Sequence, residues 1–401
     1  MSDAEVTFAS LDETFIEMFI QAAKTAVRRA SLIAVRVREH LHDVDKAAKN
    51  DASPVTVGDY SCQIVVIDTL RTLLYNNTQQ SSTSSSSLLS TFRMVGEEDA
   101  QSLQEISSTI QDHILQTLNT SFTRSLLVNN NNTNTSSSSS SSSTSFWTHD
   151  HIYQTLSLAG YHGGGKDSYW ILDPIDGTKG YLRGGQYAVG LAYVMHGEVV
   201  LSIIGCPSLP YPTWNTPNTE SSATGCLFTA IKGKGATMEP LQLDRINTSA
   251  SLTLNTHDTN SSSTLIQPLK TSTEENTAKL ILAESFDKNH SNHELSAHIS
   301  KQIGLITSPI QLDSMCKYGL LARGDVHMYL RFPPKNYNEK VWDHAPGSLL
   351  CTEAGGVVTD CYGKPLDFSI GRSLSNNYGI VAANNKVVHD KIMEAIRSYV
   401  N

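Results

Sequence analysis

Tyr169-Trp170-Ile171-Leu172-Asp173-Pro174-Ile175-Asp176-Gly177-Thr178 is the stretch on which the reading of this chain turns. Its four leading apolar residues predict a strand. The two carboxylates at the strand end, three positions apart, are placed to face one cavity. Pro174 fixes the turn between them, and Gly177 lets the backbone approach a ligand closely. Two acids behind a buried strand repel each other without a cation, so the string predicts a hard-cation site. Thr178 opens a helix whose free N–H groups suit an anion such as phosphate. Cation and phosphate side by side point to metal-assisted hydrolysis of a phosphate ester.

Upstream of that stretch, Ser10-Leu11-Asp12-Glu13 has capping-box spacing. Apolar residues then recur at Leu11, Phe15, Phe19, Ala23, Val27, Ala30 and Ala34, which predicts an amphipathic helix to about His42. A second helix is expected over Asp59 to Tyr75, with an ambiguous period at Ile64, Ile67, Asp68 and Leu70. Downstream, Tyr187 to Met195 and Val199 to Gly205 flank His196-Gly197-Glu198 as a hairpin, and Cys226 to Ile231 reads as a further strand. Short strands at 280–283, 310–313 and 326–331 then alternate with helices at 293–303, 314–322, 343–353 and 385–399. The first part therefore reads as α+β with an antiparallel sheet, and the second as α/β. We place the boundary between residues 1–277 and 278–401. Three polar tracts, at about 76–90, 119–145 and 247–277, interrupt the first part; they hold too little apolar surface to offset the entropy of ordering and are expected to be mobile surface insertions.

The chain has 401 residues, ample for a sizeable core and giving a prior of two to three domains. A net charge of −9 without a Lys/Arg block argues against a nucleic-acid partner, whose affinity rests on neutralised phosphates. A small phosphorylated ligand remains compatible, because a local cationic pocket forms readily inside an acidic protein. Six scattered cysteines without a Cys-x-x-Cys pair read as reduced, buried thiols. The acidic N-terminus lacks the features of a signal or transit peptide, and no apolar run is long enough to span a membrane. We expect a cytoplasmic protein without a membrane partner.

Three further acidic positions join Asp173 and Asp176. Asp59 follows Lys49-Asn50-Asp51-Ala52-Ser53-Pro54-Val55-Thr56, Glu97-Glu98-Asp99 follows Met94-Val95-Gly96, and Asp343 follows Trp342. Taken singly, Asp59 and Asp343 read as helix caps and Glu97-Glu98-Asp99 as a solvated loop. Together, Gly96-Glu97-Glu98, Asp173-Pro174-Ile175-Asp176-Gly177-Thr178 and Trp342-Asp343-His344-Ala345 resemble the three signatures of the lithium-sensitive, magnesium-dependent phosphatase superfamily that includes inositol monophosphatase and fructose-1,6-bisphosphatase. The Lys49 to Tyr60 segment and Asp176-Gly177-Thr178-Lys179-Gly180-Tyr181-Leu182-Arg183-Gly184-Gly185-Gln186-Tyr187-Ala188 resemble the 3'(2'),5'-bisphosphate nucleotidase branch. The match spans nearly the whole chain apart from the polar tracts.

The resemblance implies a layered αβαβα sandwich of the inositol monophosphatase-like sugar phosphatase type. It also implies a Mg²⁺ site held by Glu97, Asp173 and the Ile175 carbonyl, a second held by Asp173, Asp176 and Asp343, and a third, looser one at Glu97. Oxygen ligands of this kind suit Mg²⁺, and two such ions serve to activate water and stabilise a leaving oxygen. Asp59 and Thr178, joined by a hydrogen bond, would be the catalytic pair, and the N–H groups of Gly177 and Thr178 would cradle the phosphate. His290, Ser314, Lys317, Arg331 and Asp343 would surround the nucleotide. His293 competes with His290 for one role; His290 is preferred because it follows Phe286-Asp287-Lys288-Asn289 as in the family. Ser314 and Lys317, three apart on one expected helix, would share a face. The implied reaction converts adenosine 3',5'-bisphosphate to AMP and phosphate, and extends to 3'-phosphoadenylyl sulfate; lithium would inhibit it, and the protein would act as a monomer. The alternative is an inositol (poly)phosphate 1-phosphatase.

Overall fold

A computed structural model describes residues 8, 11–44, 54–75, 91–121, 146–216, 224–243, 266–287, 291–334 and 336–400. The Lys49 to Ser53 segment, His290, all of tract 76–90 and most of the other two tracts lie outside them.

Helix α1 spans Glu13–Val44 and α2 spans Pro54–Leu70. Asp12 caps α1, its carboxylate accepting the Phe15 N–H at 3.1 Å. The predicted stripe packs inward: Phe19 lies flat on Trp170, with ring centroids 4.9 Å apart. In α2, Ile64, Val65, Val66 and Ile67 are all buried, so the helix is enclosed on every side. That enclosure explains why its sequence shows no clear period. Helices α3 (Ala100–Glu105), α4 (Ser108–Ser121) and α5 (His149–Leu156), which the sequence reading did not name, follow β1 (Met94–Gly96). Of these, α4 and α5 pack on α2.

Seven strands form the first sheet in sequential order: β1, β2 (Tyr169–Asp176), β3 (Ala188–Met195), β4 (Glu198–Pro210), β5 (Thr224–Ile231), β6 (Gly235–Pro240) and β7 (Gln267–Pro268). Only the β1–β2 pair is parallel. The end of the third polar tract thus differs from expectation, since β7 joins the sheet and Thr271 Oγ1 donates to the Asn384 carbonyl at 2.7 Å. Between β2 and β3 sits α6 (Thr178–Leu182).

The second sheet begins at β8 (Leu282–Glu284) and continues with β9 (Ile310–Gln311), β10 (Met328–Arg331), β11 (Val357–Thr359) and β12 (Ile380–Ala383), in spatial order β11-β12-β10-β8-β9. Strands β9, β8 and β10 run parallel, and β12 is antiparallel to β10 and β11. Helices α8 (Cys316–Ala322) and α9 (Val341–Glu353) fill the space between the sheets, while α7 (His293–Ile303) and α10 (Lys386–Val400) cover the far face. The layers are therefore α, β, α, β, α.

Side-chain alternation shows how five layers are held together. Trp170 and Leu172 of β2 join the α1/α2 core, whereas Tyr169 and Ile171 join the central core with α8 and α9. In β12, Ile380 and Ala382 face the centre, and Val381 and Ala383 face α10. Both faces of both sheets are covered, which is why these strands read as unbroken apolar runs. All six cysteines are free and buried, as the sequence suggested. Among the described residues no helix is long and apolar enough to cross a membrane.

Candidate active site

Residues three apart on a regular strand point to opposite faces. Asp173 and Asp176 converge because β2 carries an irregularity: Asp173 pairs with Gly190 and Asp176 with Ala188, so three steps on β2 match two on β3. Pro174 has no N–H to lose at this point. Ile175 drives its side chain against Gly58 of α2, where an added Cβ would lie 2.8 Å from its Cδ1. The chain then turns at Gly177, whose φ of 89° is left-handed, directly before Thr178 starts α6. A Cβ at Gly177 would lie 2.8 Å from that of Ser314, so close approach as well as backbone twist requires glycine here.

Asp343 arrives from the first turn of α9, and carboxylate atoms of Asp173, Asp176 and Asp343 lie within 4.8 Å of one another. This helix starts two residues before the predicted position, which puts Pro346 inside it rather than in its first turn. Glu97 stands at the open rim beyond β1. The surrounding protein and the charges of Asp343, Glu98 and Asp176 push its carboxyl up to about 8. The Glu97 side chain itself is exposed to solvent. Asp176 is pushed up to about 7, by burial and Asp343, while Lys317, the Met315 N–H and Arg331 act in the opposite sense. Burial, then Glu97, Asp176 and Asp343, hold Asp173 well above the usual carboxylate range.

Four carboxyls from three separated segments thus crowd one place, and the proton affinity of Glu97, Asp173 and Asp176 rises with the crowding. A divalent cation removes this repulsion, and the buried Asp173 Oδ1 has no hydrogen-bond partner among the described residues to satisfy it otherwise. Hard carboxylate oxygens of this number fit an oxygen-seeking divalent ion.

Asp59 of α2 borders the same cluster. Its carboxyl is buried, its Oδ1 has no partner among the described residues, and burial followed by Glu97 and Glu98 raises its pKa well above normal. Thr178 is exposed at the head of α6, and no Thr178–Asp59 hydrogen bond is present among the described residues. Gln63, one turn further along α2, holds the rim loop: its Nε2 donates to the Glu98 carbonyl at 2.6 Å, and its Oε1 accepts the Glu98 N–H at 3.1 Å.

On the opposite wall, Ser314 is not part of the helix with Lys317. It sits at φ 70° ahead of α8, and its hydroxyl accepts the Cys316 N–H at 3.1 Å. Lys317 is buried rather than on a solvated face; its Nζ donates to the Leu312 carbonyl at 3.1 Å and lies over the Tyr329 ring. Burial lowers its pKa to about 8 against the pull of Asp176. Arg331, at the end of β10, is fixed by carboxylates: Nε donates to Glu339 Oε1 at 2.7 Å, and Nη2 reaches Glu339 Oε2 at 2.7 Å and Asp343 Oδ2 at 3.2 Å. Glu339 in turn meets His344 Nε2 at 3.1 Å, whose Nδ1 lies 3.1 Å from the Tyr318 hydroxyl. Burial alone would raise the Glu339 pKa, but Arg331 and His344 outweigh it and lower it. His293 begins α7 with its Nδ1 3.6 Å from Glu284.

Sequence reasoning did not single out Gln63, Glu339 or His344. His344 lies within the Trp342-Asp343-His344-Ala345 signature and Glu339 three residues before it, so proximity to it was an available signal. Gln63 carried none beyond its place on α2.

Comparison with known proteins agrees with this geometry. The profile of the inositol monophosphatase family matches residues 51–401. The 3'(2'),5'-bisphosphate nucleotidase of Schizosaccharomyces pombe is 35% identical over 385 residues, 94% of each chain. That of Oryza sativa is 35% identical over 389 residues, again 94% of each. The 3',5'-bisphosphate nucleotidase 2 of Arabidopsis thaliana is 34% identical, covering 95% of this chain and 96% of its own. In structure, the inositol monophosphatase from Anabaena sp. PCC 7120 superposes with a TM-score of 0.52 over 96% of both chains at 16% identity, a likeness of fold. The suhB protein of Bartonella henselae gives 0.51, over 94% of this chain and 98% of its own, also at 16% identity. The chain belongs to the inositol monophosphatase family, in its 3'(2'),5'-bisphosphate nucleotidase branch.

Proposed function

We propose that this protein is a Mg²⁺-dependent phosphatase that hydrolyses the 3'-phosphate of adenosine 3',5'-bisphosphate to give AMP and phosphate, and that also accepts 3'-phosphoadenylyl sulfate. The convergence of Asp173, Asp176 and Asp343, with Glu97 at their rim, carries the reading. Relatives named 3'(2'),5'-bisphosphate nucleotidase or 3',5'-bisphosphate nucleotidase 2, alike over almost their whole length, support a nucleotide bisphosphate as substrate.

In this reading Glu97, Asp173, the Ile175 carbonyl, Asp176 and Asp343 hold the ions. Bound Mg²⁺ supplies electrostatic stabilisation of the charge that develops during in-line displacement at phosphorus. Asp59, with its unpaired oxygen and raised proton affinity, takes the proton of the attacking water by way of the Thr178 hydroxyl. The water oxygen bonds to phosphorus as the bond from phosphorus to the ribose 3' oxygen breaks, and that oxygen takes a proton from solvent water, whose hydroxide is neutralised by the proton that Asp59 then gives up. The N–H groups of Gly177 and Thr178 receive phosphate oxygens. Lys317 and Arg331 place positive charge on the nucleotide side of the cleft, near Asp176. Ser314, packed against Gly177, lies beside the phosphate. His290 keeps its proposed nucleotide contact by family correspondence. Lithium inhibits by competing for an ion position.

The test is direct. Purified full-length protein with Mg²⁺ is expected to release phosphate from adenosine 3',5'-bisphosphate and to prefer it over inositol 1,4-bisphosphate. No release from the nucleotide refutes the reading, and a preference for the inositol ester reassigns the substrate.

A further inference from the structure

Asp343 reaches the ion cluster from helix α9 and Glu97 from the end of β1, and one arginine touches both approaches. Residues 372–374 run antiparallel to 339–341, immediately before α9: the Val341 N–H donates to the Arg372 carbonyl at 3.1 Å, the Leu374 N–H to the Glu339 carbonyl at 2.8 Å, and Lys340 bridges Ser373. The Arg372 backbone is thereby fixed against the first turn of the helix that carries Asp343. Its side chain then reaches the first sheet, where Nη2 donates to the carbonyl of Gly96 at the end of β1, at 2.6 Å. On the way the guanidinium lies over the Trp342 ring, 4.8 Å from the centroid. Gly96 and Trp342 are the residues immediately before Glu97 and Asp343. The Arg372 charge also interacts with Asp99 and Glu97 themselves.

We propose that Arg372 is a positioning residue that sets the spacing between Glu97 and Asp343, and through it the affinity of the site for its divalent ion; this rests on the metal-dependent reading above. A planar guanidinium donates along its edge and stacks with its face at the same time, which an ammonium group cannot do. The Glu97 loop is gripped from two sides, by Gln63 of α2 at Glu98 and by Arg372 at Gly96. The second grip continues to Trp342 and hence to Asp343. Loss of Arg372 leaves each acid on its own element but frees the distance between them.

Calorimetric titration of the metal-stripped full chain with Mg²⁺ tests this. Wild type is expected to bind saturably, and Arg372→Ala to bind about tenfold more weakly, the scale typical of losing a group that orients a metal ligand. Arg372→Lys, which keeps a donor but no flat face, should fall between the two. Millimolar guanidinium should restore binding to Arg372→Ala and leave wild type unchanged. Wild type that binds no Mg²⁺ would overturn the metal-dependent reading itself. Wild type that binds while Arg372→Ala binds equally tightly would overturn only the positioning role, as would an equal loss in both variants that guanidinium does not relieve. Where Arg372→Ala fails to fold, Arg372→Lys decides, and affinity equal to wild type overturns the proposal.

Discussion

Asp176 shows how much of the chemistry sits in single side chains. It closes β2, lies within the three-carboxylate cluster, and accepts the Met315 N–H ahead of α8. Asp176→Asn keeps the shape and the amide oxygen but removes the charge. Phosphate release from the nucleotide is expected to fall at least a hundredfold, with a circular dichroism spectrum like that of wild type; retained activity would mean that the cluster has been wrongly assigned. The crowded acids also make a pH prediction for metal-free protein. Glu97 and Asp176 have pKa values raised in the folded state, to about 8 and about 7, so the folded chain holds protons that the unfolded chain gives up near pH 4. Their stabilising contribution is complete below the unfolded values and is lost as pH rises through the folded ones. The melting temperature of metal-free protein should therefore fall between about pH 5 and pH 8, and saturating Mg²⁺ should flatten that slope. An identical slope with and without Mg²⁺ would place the ion elsewhere.

Among the elements, helices with one open face were legible and enclosed ones less so. The stripe on α1 predicted its inward residues, because solvent on the other face forces a period on the sequence. In α2, burial all round removed that constraint. The start of α8 was misread for a different reason: Ser314 has helix-compatible chemistry, but tight packing against Gly177 holds it at φ 70°, a tertiary constraint that no local pattern carries. Asp173 and Asp176 were legible because repulsion between buried charges is hard to explain without a ligand, whereas Asp59, Glu97 and Asp343, which singly read as caps and a loop, were reached only through the resemblance to the family. Their supports, Gln63 and Glu339, were not, since glutamine on a helix and glutamate before one are ordinary locally. Gly347 in α9 tests the packing of the central helices. A Cβ there would overlap the Tyr318 ring of α8, so Gly347→Ala is expected to cost about 1–3 kcal/mol in urea unfolding. A cost near zero would show that the α8–α9 contact is slack.

At the scale of the molecule, the central helical layer belongs to both sheets at once. Phe228 of β5 packs on Gly319 of α8, where an added Cβ would sit 2.8 Å from the ring, and both adjoin side chains that continue to β10 and β12. Phe228→Ala should cost about 3–5 kcal/mol, by lost burial and the cavity left behind. Because that core is shared, fluorescence and circular dichroism should report one coincident transition in wild type and variant alike. Two separated transitions would mean that the sheets are energetically independent.

The irregular pairing of β2 reaches beyond catalysis, into what changes the gene can tolerate. Two acids share a side of that strand only because an extra residue lies between them. Removing Ile175 alone would cancel that extra residue and leave the acids two apart on a regular strand, still on one side but without the side chain that docks on Gly58 of α2; one residue more would instead swing Asp176 through half a turn, to the wrong side of the sheet. The Pro174-Ile175 spacer is therefore a ruler: substitution within it is negotiable so far as side chains fit, but an added residue is not.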